Sequence, residues 1–384
     1  MMEITEGSHA IAEAVRLSRP QVVSAYPITP QTHIVEALAD FVANGTLDAE
    51  YLTVDSELSA LSACVGASAA GSRTYSATTS QGLMLMAEVC YNASGMRLPI
   101  VMSIANRALG APLSIWNDQQ DSIAMRDCGW LQFYAEDNQE ATDLHFLAYK
   151  VTEDPTIQLP AFVCFDGFIL SHTYEPIDML TQDQVDQYLP PFNPAEKLDA
   201  KDPISFGMYA TPDYYMEFRY EMDEAQKRAK GIIAKYGKEF GTLFGRDYSA
   251  LVEGYLLDDA ETAIVAMGSL CGTVKDAIDE MRAEGKKVGL LKIRVYRPFP
   301  YEDLKKALSH VKRVAVLDKN ISLGAKGAVA IEVRDALYGS TIPVLDYVLG
   351  LGGRDIRKKN IKEIVSLCEK GDGDRFYGLR KELI

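Results

Sequence analysis

The chain has 384 residues, of which 47% are apolar, and carries a formal charge of -15. That length supports two or three domains with real cores, and that apolar share excludes a disordered chain. The acidity, with no run of Lys or Arg, excludes a basic nucleic-acid-binding surface of the usual kind.

Short apolar runs alternate with helix-length segments as far as about residue 190. The periodicity predicts helices over 7–19, 31–43, 57–70, 80–94 and 139–151, and strands over 21–25, 51–54, 98–104 and 160–165, with a further strand inside 71–79. Such alternation predicts a mostly parallel sheet covered on both faces. Pro190, Pro191 and Pro194 break the rhythm and predict an extended connector. Glu217 to Phe240 reads as one long amphipathic helix. The aromatic cluster beside it, Tyr214, Tyr215, Phe218 and Tyr220, either packs that helix on its own domain or meets another subunit. From about Glu261 a second α/β unit is predicted, with strands over 263–266, 288–291, 313–317 and 342–345 and helices over 271–284, 301–308 and 324–338. The expected domains are 1–248, including the connector and helical excursion from about 190, and 249–384.

An α/β sheet places its chemistry beyond the carboxyl ends of its strands. The first strand stops at Tyr26-Pro27-Ile28-Thr29-Pro30, which puts the Thr29 hydroxyl there. The run ending near Ser103 leads into Asn106-Arg107-Ala108-Leu109-Gly110, a permanent cation in a turn-rich loop. A hydroxyl and a guanidinium at strand ends suit a small anion. Glu57 opens a small-residue helix, where a carboxylate ordinarily complements the helix dipole. It would also suit an aminopyrimidine, whose imino tautomer a ring-nitrogen hydrogen bond favours and whose imino group can deprotonate a thiazolium. Thr78-Thr79-Ser80-Gln81-Gly82 gathers hydroxyls and free backbone donors at another strand end.

No stretch approaches the roughly 20 apolar residues of a membrane helix. Glu3 and Glu6 stand where a secretory signal would be basic and then apolar, so a cytoplasmic location without a membrane partner is expected. Cys64, Cys90, Cys128, Cys164, Cys271 and Cys368 form no CxxC and read as buried thiols. His9, His33, His145, His172 and His310 show no ligand spacing, and no metal site is expected on this chain.

These segments in this order, joined by Trp116 to Ser122, Phe168 to Thr173 and Arg294 to Pro300, resemble the alpha subunits of 2-oxoacid:ferredoxin oxidoreductases over nearly the whole chain. Within that family the likeness is to members acting on pyruvate. The resemblance implies a pyrimidine-side thiamine diphosphate domain of parallel α/β type, followed by a smaller transketolase C-terminal-like α/β domain. It implies thiamine diphosphate shared with a beta subunit, Mg2+ and [4Fe-4S] clusters on partner subunits, gamma and delta subunits, coenzyme A as cosubstrate and ferredoxin as electron carrier. Glu57 then matches the cofactor-activating glutamate, Thr29 and Arg107 the substrate-contacting pair, and Pro27, Ile28, Thr79 and Ser80 the cofactor wall. The implied reaction is the reversible CoA-dependent oxidative decarboxylation of pyruvate to acetyl-CoA and CO2. A branched-chain 2-oxoacid or 2-oxoglutarate substrate, and a noncatalytic assembly role, are the alternatives. Gly371-Asp372-Gly373 lies too near the chain's end for the asparagine pair of a diphosphate site to follow, and reads as a tail turn. Asp318 to Gly324 lacks GxGxxG spacing, so its helix is expected to pack closely on the sheet.

Overall fold

The computed structural model describes residues 2–373 and 376–384. Its first half contains β1 (Met2–Glu6), α1 (Gly7–Leu17), β2 (Val22–Ser24), α2 (Thr32–Ala43), β3 (Glu50–Leu52), α3 (Glu57–Ala69), β4 (Thr74–Thr78), α4 (Ser80–Leu85) and α5 (Ala87–Gly95). There follow β5 (Val101–Asn106), α6 (Gln120–Ala124), β6 (Leu131–Tyr134), α7 (Asn138–Thr152), β7 (Ala161–Asp166), β8 (Tyr174–Asp178), α8 (Gln182–Tyr188) and α9 (Tyr215–Phe244). The second half contains β9 (Val252–Tyr255), β10 (Thr262–Ala266), α10 (Leu270–Ala283), β11 (Val288–Ile293), β12 (Val295–Arg297), α11 (Tyr301–Leu308), β13 (Arg313–Asp318), α12 (Ala328–Ala336), β14 (Val344–Val348) and α13 (Lys358–Glu369).

Among the described residues the main sheet has seven strands in the order β12-β6-β7-β5-β4-β2-β3. All its pairings are parallel except that of β12 with β6. Every residue of β4, β5 and β7 is buried, as expected for strands with helices on both faces. One face packs on α1, α2, α7 and α9 through Val15, Leu38, Phe146 and Phe240. The other packs on α3 and α5 and continues into the second half through Leu61, Trp130, Phe162, Phe299 and Val333. The second sheet runs β14-β13-β10-β11-β9, with β9 antiparallel on its edge.

Several expectations need correction. The helix expected over 80–94 is two, α4 and α5, meeting at Met86. Met86 still donates to the Gly82 carbonyl at 3.1 Å and accepts from Cys90 at 2.9 Å, so the chain tightens at one residue and goes on. The helix expected from 324 starts at Ala328, because Gly324 sits at φ +81° and Ala325 donates to the Ser322 carbonyl to close a turn. The aromatic cluster, left open between its own domain and another subunit, is only partly covered here: Tyr214, Tyr215, Phe218 and Tyr220 remain 48–63% exposed. The buried stripe of α9 begins only at Met222 and runs through Ala225, Ala229, Ile233, Gly237 and Phe240, so the first turns overhang.

β12 ties the two halves together, and an ion network lies beside it. Lys292 Nζ lies 2.9 Å from both Glu136 and Glu140, and Arg294 Nε lies 2.6 Å from Glu140. Burial alone would raise the Glu140 carboxyl, yet Lys292 and Arg294 hold it down from 4.5 to about 2. A depressed carboxyl contributes stability in full above its unfolded-state value, and the contribution is lost as pH falls toward the folded one. Glu140→Gln is therefore expected to cost about 3–5 kcal/mol at neutral pH. It should also flatten the loss of stability between pH 4.5 and about 2, which denaturant unfolding across that range measures.

Candidate active site

The carboxyl ends of β5, β4, β2 and β3 lie side by side. After β2 the chain crosses one face of the sheet as α2, and after β3 it crosses the other as α3. This is a topological switch point, where an open α/β sheet forms a crevice. All the predicted site residues sit at it.

Thr29 is exposed in the loop leaving β2, with Pro27 exposed and Ile28 half-buried. Gln31 holds this loop to the sheet by donating from Nε2 to the Ala77 carbonyl at 2.7 Å and the Tyr26 carbonyl at 3.1 Å. Arg107 leaves β5 and is 6% exposed. Its Nη1 donates to the Thr29 carbonyl at 2.6 Å and its Nε to the Ser114 carbonyl at 3.2 Å. Burial lowers the pKa of this guanidinium, against the field of Asp121. Among the described residues no carboxylate pairs with it. Arg107 Nη2 also donates to Gln81 Oε1 at 3.5 Å, so each guanidinium nitrogen has a partner and two of the five N–H donors remain for an anion.

Glu57 opens α3 behind an N-cap in which Ser56 Oγ accepts from the Ser59 amide at 3.2 Å. Only 8% of Glu57 is exposed, yet its carboxylate receives no hydrogen bond among the described residues. Neither oxygen of this carboxylate is among the buried unpartnered atoms, so the group opens to the crevice, where a ligand can donate to it. The space beside it is kept by a glycine: a Cβ on Gly82 would lie 2.7 Å from Glu57 Oε1. Thr79 and Ser80 are fully buried, and their hydroxyls donate to the carbonyls of Ala105 and Ala108 at 2.5 Å each. What these two residues present to a ligand is backbone and shape, since both hydroxyls are already committed.

Asp121 organises these strand ends, and nothing in its local sequence singles it out. Its Oδ2 accepts from the amides of Ser80 at 2.9 Å and Arg107 at 3.0 Å. Its Oδ1 accepts from Asn106 Nδ2 at 2.7 Å and the Ser122 amide at 2.8 Å. Complete burial raises its carboxyl to about 6 despite those four donors. Ser80 needs the anchor, because it holds φ +48°, a left-handed conformation unfavourable for a side chain bearing Cβ.

Asn117 and Gln119 bind the second half. Lys319 Nζ donates to Asn117 Oδ1 and lies 3.2 Å from Asp166, and the Gln119 amide donates to the Lys319 carbonyl at 2.8 Å. The expected close packing of α12 is present, since a Cβ on Gly327 would fall 2.1 Å from Asp318 Oδ2. Beyond Thr29 a cavity of about 230 Å³ is lined by Pro30, Thr32, His33, Glu36 and His172. His33 and His172 bring possible ligand atoms within 4.8 Å of Glu6, a grouping from three separate segments that sequence spacing cannot reveal.

The switch-point crevice of the larger sheet and the smaller second α/β unit are, by the family match and the fold likeness, a thiamine-diphosphate-binding domain joined to a transketolase C-terminal-like domain. Residues 13–238 match the family model described as pyruvate flavodoxin/ferredoxin oxidoreductase, thiamine diP-binding, and 260–361 match pyruvate:ferredoxin oxidoreductase core domain II. The chain is 52% identical over 393 residues to pyruvate synthase subunit PorA of Methanosarcina barkeri, covering 100% of this chain and 98% of that one. It is 49% identical over 371 residues to ketoisovalerate oxidoreductase subunit VorA of Pyrococcus horikoshii, covering 96% and 94%. The fold is similar to that of a 2-oxoglutarate:ferredoxin oxidoreductase from Magnetococcus marinus, with TM-score 0.73 and 19% identity over 95% of this chain and 65% of that longer one. It is also similar to a split-gene transketolase, with TM-score 0.55 and 12% identity over 94% of this chain and 97% of that one. The chain belongs to the alpha subunits of the 2-oxoacid:ferredoxin oxidoreductases, and it is an oxidoreductase subunit active within a larger complex.

Proposed function

We propose that this subunit supplies the pyrimidine-side and substrate-side wall of a pyruvate:ferredoxin oxidoreductase. The overall reaction converts pyruvate, coenzyme A and oxidised ferredoxin to acetyl-CoA, CO2 and reduced ferredoxin, reversibly. The observation that carries this reading is a Glu57 carboxylate that takes no hydrogen bond from the described residues and opens to the same strand ends as an Arg107 guanidinium with no carboxylate partner. Those two groups fit an aminopyrimidine and a 2-oxoacid carboxylate. When bound, thiamine diphosphate supplies the carbon nucleophile for the 2-oxo group. Glu57 would hold the pyrimidine ring nitrogen, Gly82 leaves it room, and Pro27, Ile28, Thr79 and Ser80 would shape the wall. Arg107 binds the substrate carboxylate through charge-assisted hydrogen bonds, and Thr29 hydrogen-bonds the substrate beside it. Beta, gamma and delta subunits would supply Mg2+, the [4Fe-4S] clusters and the path to ferredoxin.

The substrate is the finer part of the reading. PorA and VorA relatives match at 52% and 49% identity, and a single methylene is worth only about 1–3 kcal/mol of discrimination. Branched-chain 2-oxoacids are therefore the second reading. A dianionic substrate such as 2-oxoglutarate is disfavoured, because the cavity beyond Thr29 contains Glu36 and neither lysine nor arginine. Competition among pyruvate, 2-oxoisovalerate and 2-oxoglutarate in the assembled complex tests this. Pyruvate is expected to have the highest kcat/KM, and a preference for 2-oxoisovalerate would move the assignment to the branched-chain class.

A further inference from the structure

Three groups that the proposed chemistry does not use meet beside the Thr29 loop: Glu6 at the end of β1, His33 in the first turn of α2, and His172 between β7 and β8. One possible ligand atom from each lies within 4.8 Å of the other two. Glu6 is buried and both histidines are half-buried. His33 Nδ1 lies 2.6 Å from Glu6 Oε1, and the two imidazole rings lie 4.6 Å apart with 35° between their planes. His172 Nδ1 lies 2.7 Å from Ser171 Oγ. The second carboxylate oxygen of Glu6 and the Nε2 of each histidine have no hydrogen-bond partner among the described residues.

The backbone brings these three segments together without help from the side chains. β1 pairs antiparallel with β8 as far as Glu6, which stands opposite Tyr174. Just beyond it, the Gly7 amide donates to the Thr173 carbonyl at 3.1 Å and the Ser8 amide to the Ser171 carbonyl at 3.0 Å. A Cβ on Gly7 would fall 2.2 Å from the Leu170 carbonyl oxygen, so only a glycine lets Glu6 come this close to the His172 loop. That loop is held from within: Phe168 sits at φ +62°, unfavourable for so large a side chain, and its amide donates to Ser171 Oγ at 2.8 Å. The start of α2 is fixed by Gln31, which donates to the Ala77 carbonyl at 2.7 Å. A histidine ligand usually gives its second ring N–H to an oxygen, which orients the ring. Ser171 Oγ is placed to accept from His172 Nδ1, leaving Nε2 for an ion.

We propose that Glu6, His33 and His172 bind a divalent transition-metal cation of the zinc class. Two imidazoles and one carboxylate are a zinc donor set that leaves a fourth position for water or another ligand. Such donors prefer zinc to iron(II) or manganese(II), whereas Mg2+ selects oxygen ligands alone. His33 and His172 line the cavity of about 230 Å³ that Thr29 also lines, so the fourth ligand enters from there. The ion clasps the amino-terminal strand, the start of α2 and the His172 loop to one another. The expectation that this chain holds no metal rested on spacing along the sequence, and these ligands come from three distant segments.

Zinc counting on the assembled complex tests the site. The complex is stripped of loosely held metal with a chelator, returned to Mg2+ buffer, equilibrated with Zn2+, freed of excess metal and measured by plasma mass spectrometry. It is expected to keep one zinc per alpha subunit more than His33→Ala or His172→Ala, and Glu6→Gln should bind that zinc at least tenfold more weakly. His9→Ala, which removes an exposed histidine outside the cluster, should keep the full content. X-ray absorption at the zinc edge needs no variant. It should show nitrogen and oxygen neighbours at about 2.0–2.2 Å with outer-shell scattering from two imidazoles. Equal zinc with and without the two histidines, undiminished affinity in Glu6→Gln, loss of the zinc in His9→Ala, or a sulfur-dominated shell overturns the inference. The count does not depend on turnover, so each of these outcomes leaves the oxidoreductase reading standing.

Discussion

Glu57→Gln is expected to lower kcat of the assembled complex by about 10²–10⁴-fold while its melting temperature stays within the error of measurement. The two halves of this expectation come from one observation. Glu57 is buried and yet bonded to nothing in its own chain, so an amide of the same size removes no native contact. Replacing the charged carboxylate by an isosteric amide leaves no native donor unsatisfied, so the large destabilisations that follow from broken buried networks do not arise. The role left for the carboxylate is toward a ligand, where glutamine keeps the shape and loses the ability to hold and return a proton. Gly82→Ala supplies an independent check, because its Cβ would stand 2.7 Å from Glu57 Oε1 and 2.5 Å from Thr78 Oγ1. That variant should weaken thiamine diphosphate retention as well as rate. Ordinary turnover in Glu57→Gln would remove Glu57 from the chemistry and favour an assembly role for the chain.

How much of this was legible in the sequence depends on whether a feature is local. The strand ends bearing Thr29, Glu57, Thr79 and Arg107 could be read directly, because a buried parallel strand is a continuous apolar run and its stop marks the catalytic edge. The edge strands β1, β8, β9 and β12 were not legible. They are short, with β1 largely exposed and β8 mixed in burial, so neither length nor alternation marks them. β12 is harder still, since it pairs with a sheet belonging to the other half of the chain. The aromatic residues before Met222 carried an apolar signal without saying whether the surface they meet lies on this chain. Asp121 and the pairing of Lys319 with Asp166 were invisible for a related reason. Ser122 apart, their partners stand 14–153 residues away, and only the fold brings them together.

Asp121→Asn is the second substitution expected to have a large effect, and it acts without touching substrate. One carboxylate oxygen takes the amides of Ser80 and Arg107, and the other takes Asn106 Nδ2 and the Ser122 amide. An asparagine offers one oxygen and one NH2, so in either orientation two donors face at least one backbone donor. Each buried donor left unsatisfied costs about 1–3 kcal/mol. The fold can relieve that cost by letting Ser80 leave its left-handed conformation and by letting the Arg107 loop shift away from β4. A shift near 1 Å at a positioning group is worth about 10²-fold in rate. Because Arg107 is the group assigned to the substrate carboxylate, the KM for the 2-oxoacid should rise more steeply than kcat falls, a split that general destabilisation does not produce. Asn106 points to a rescue. Its Oδ1 has no hydrogen-bond partner, and its Nδ2 faces Asp121. In the double variant Asn106→Asp/Asp121→Asn, the new amide can turn its oxygen to Ser80 and Arg107 and donate to the new carboxylate. Partial recovery of the 2-oxoacid KM in the double variant is the expected result. A single variant with kcat and KM unchanged would show that Asp121 serves packing alone, and that Arg107 is held by its bonds to Thr29 and Ser114.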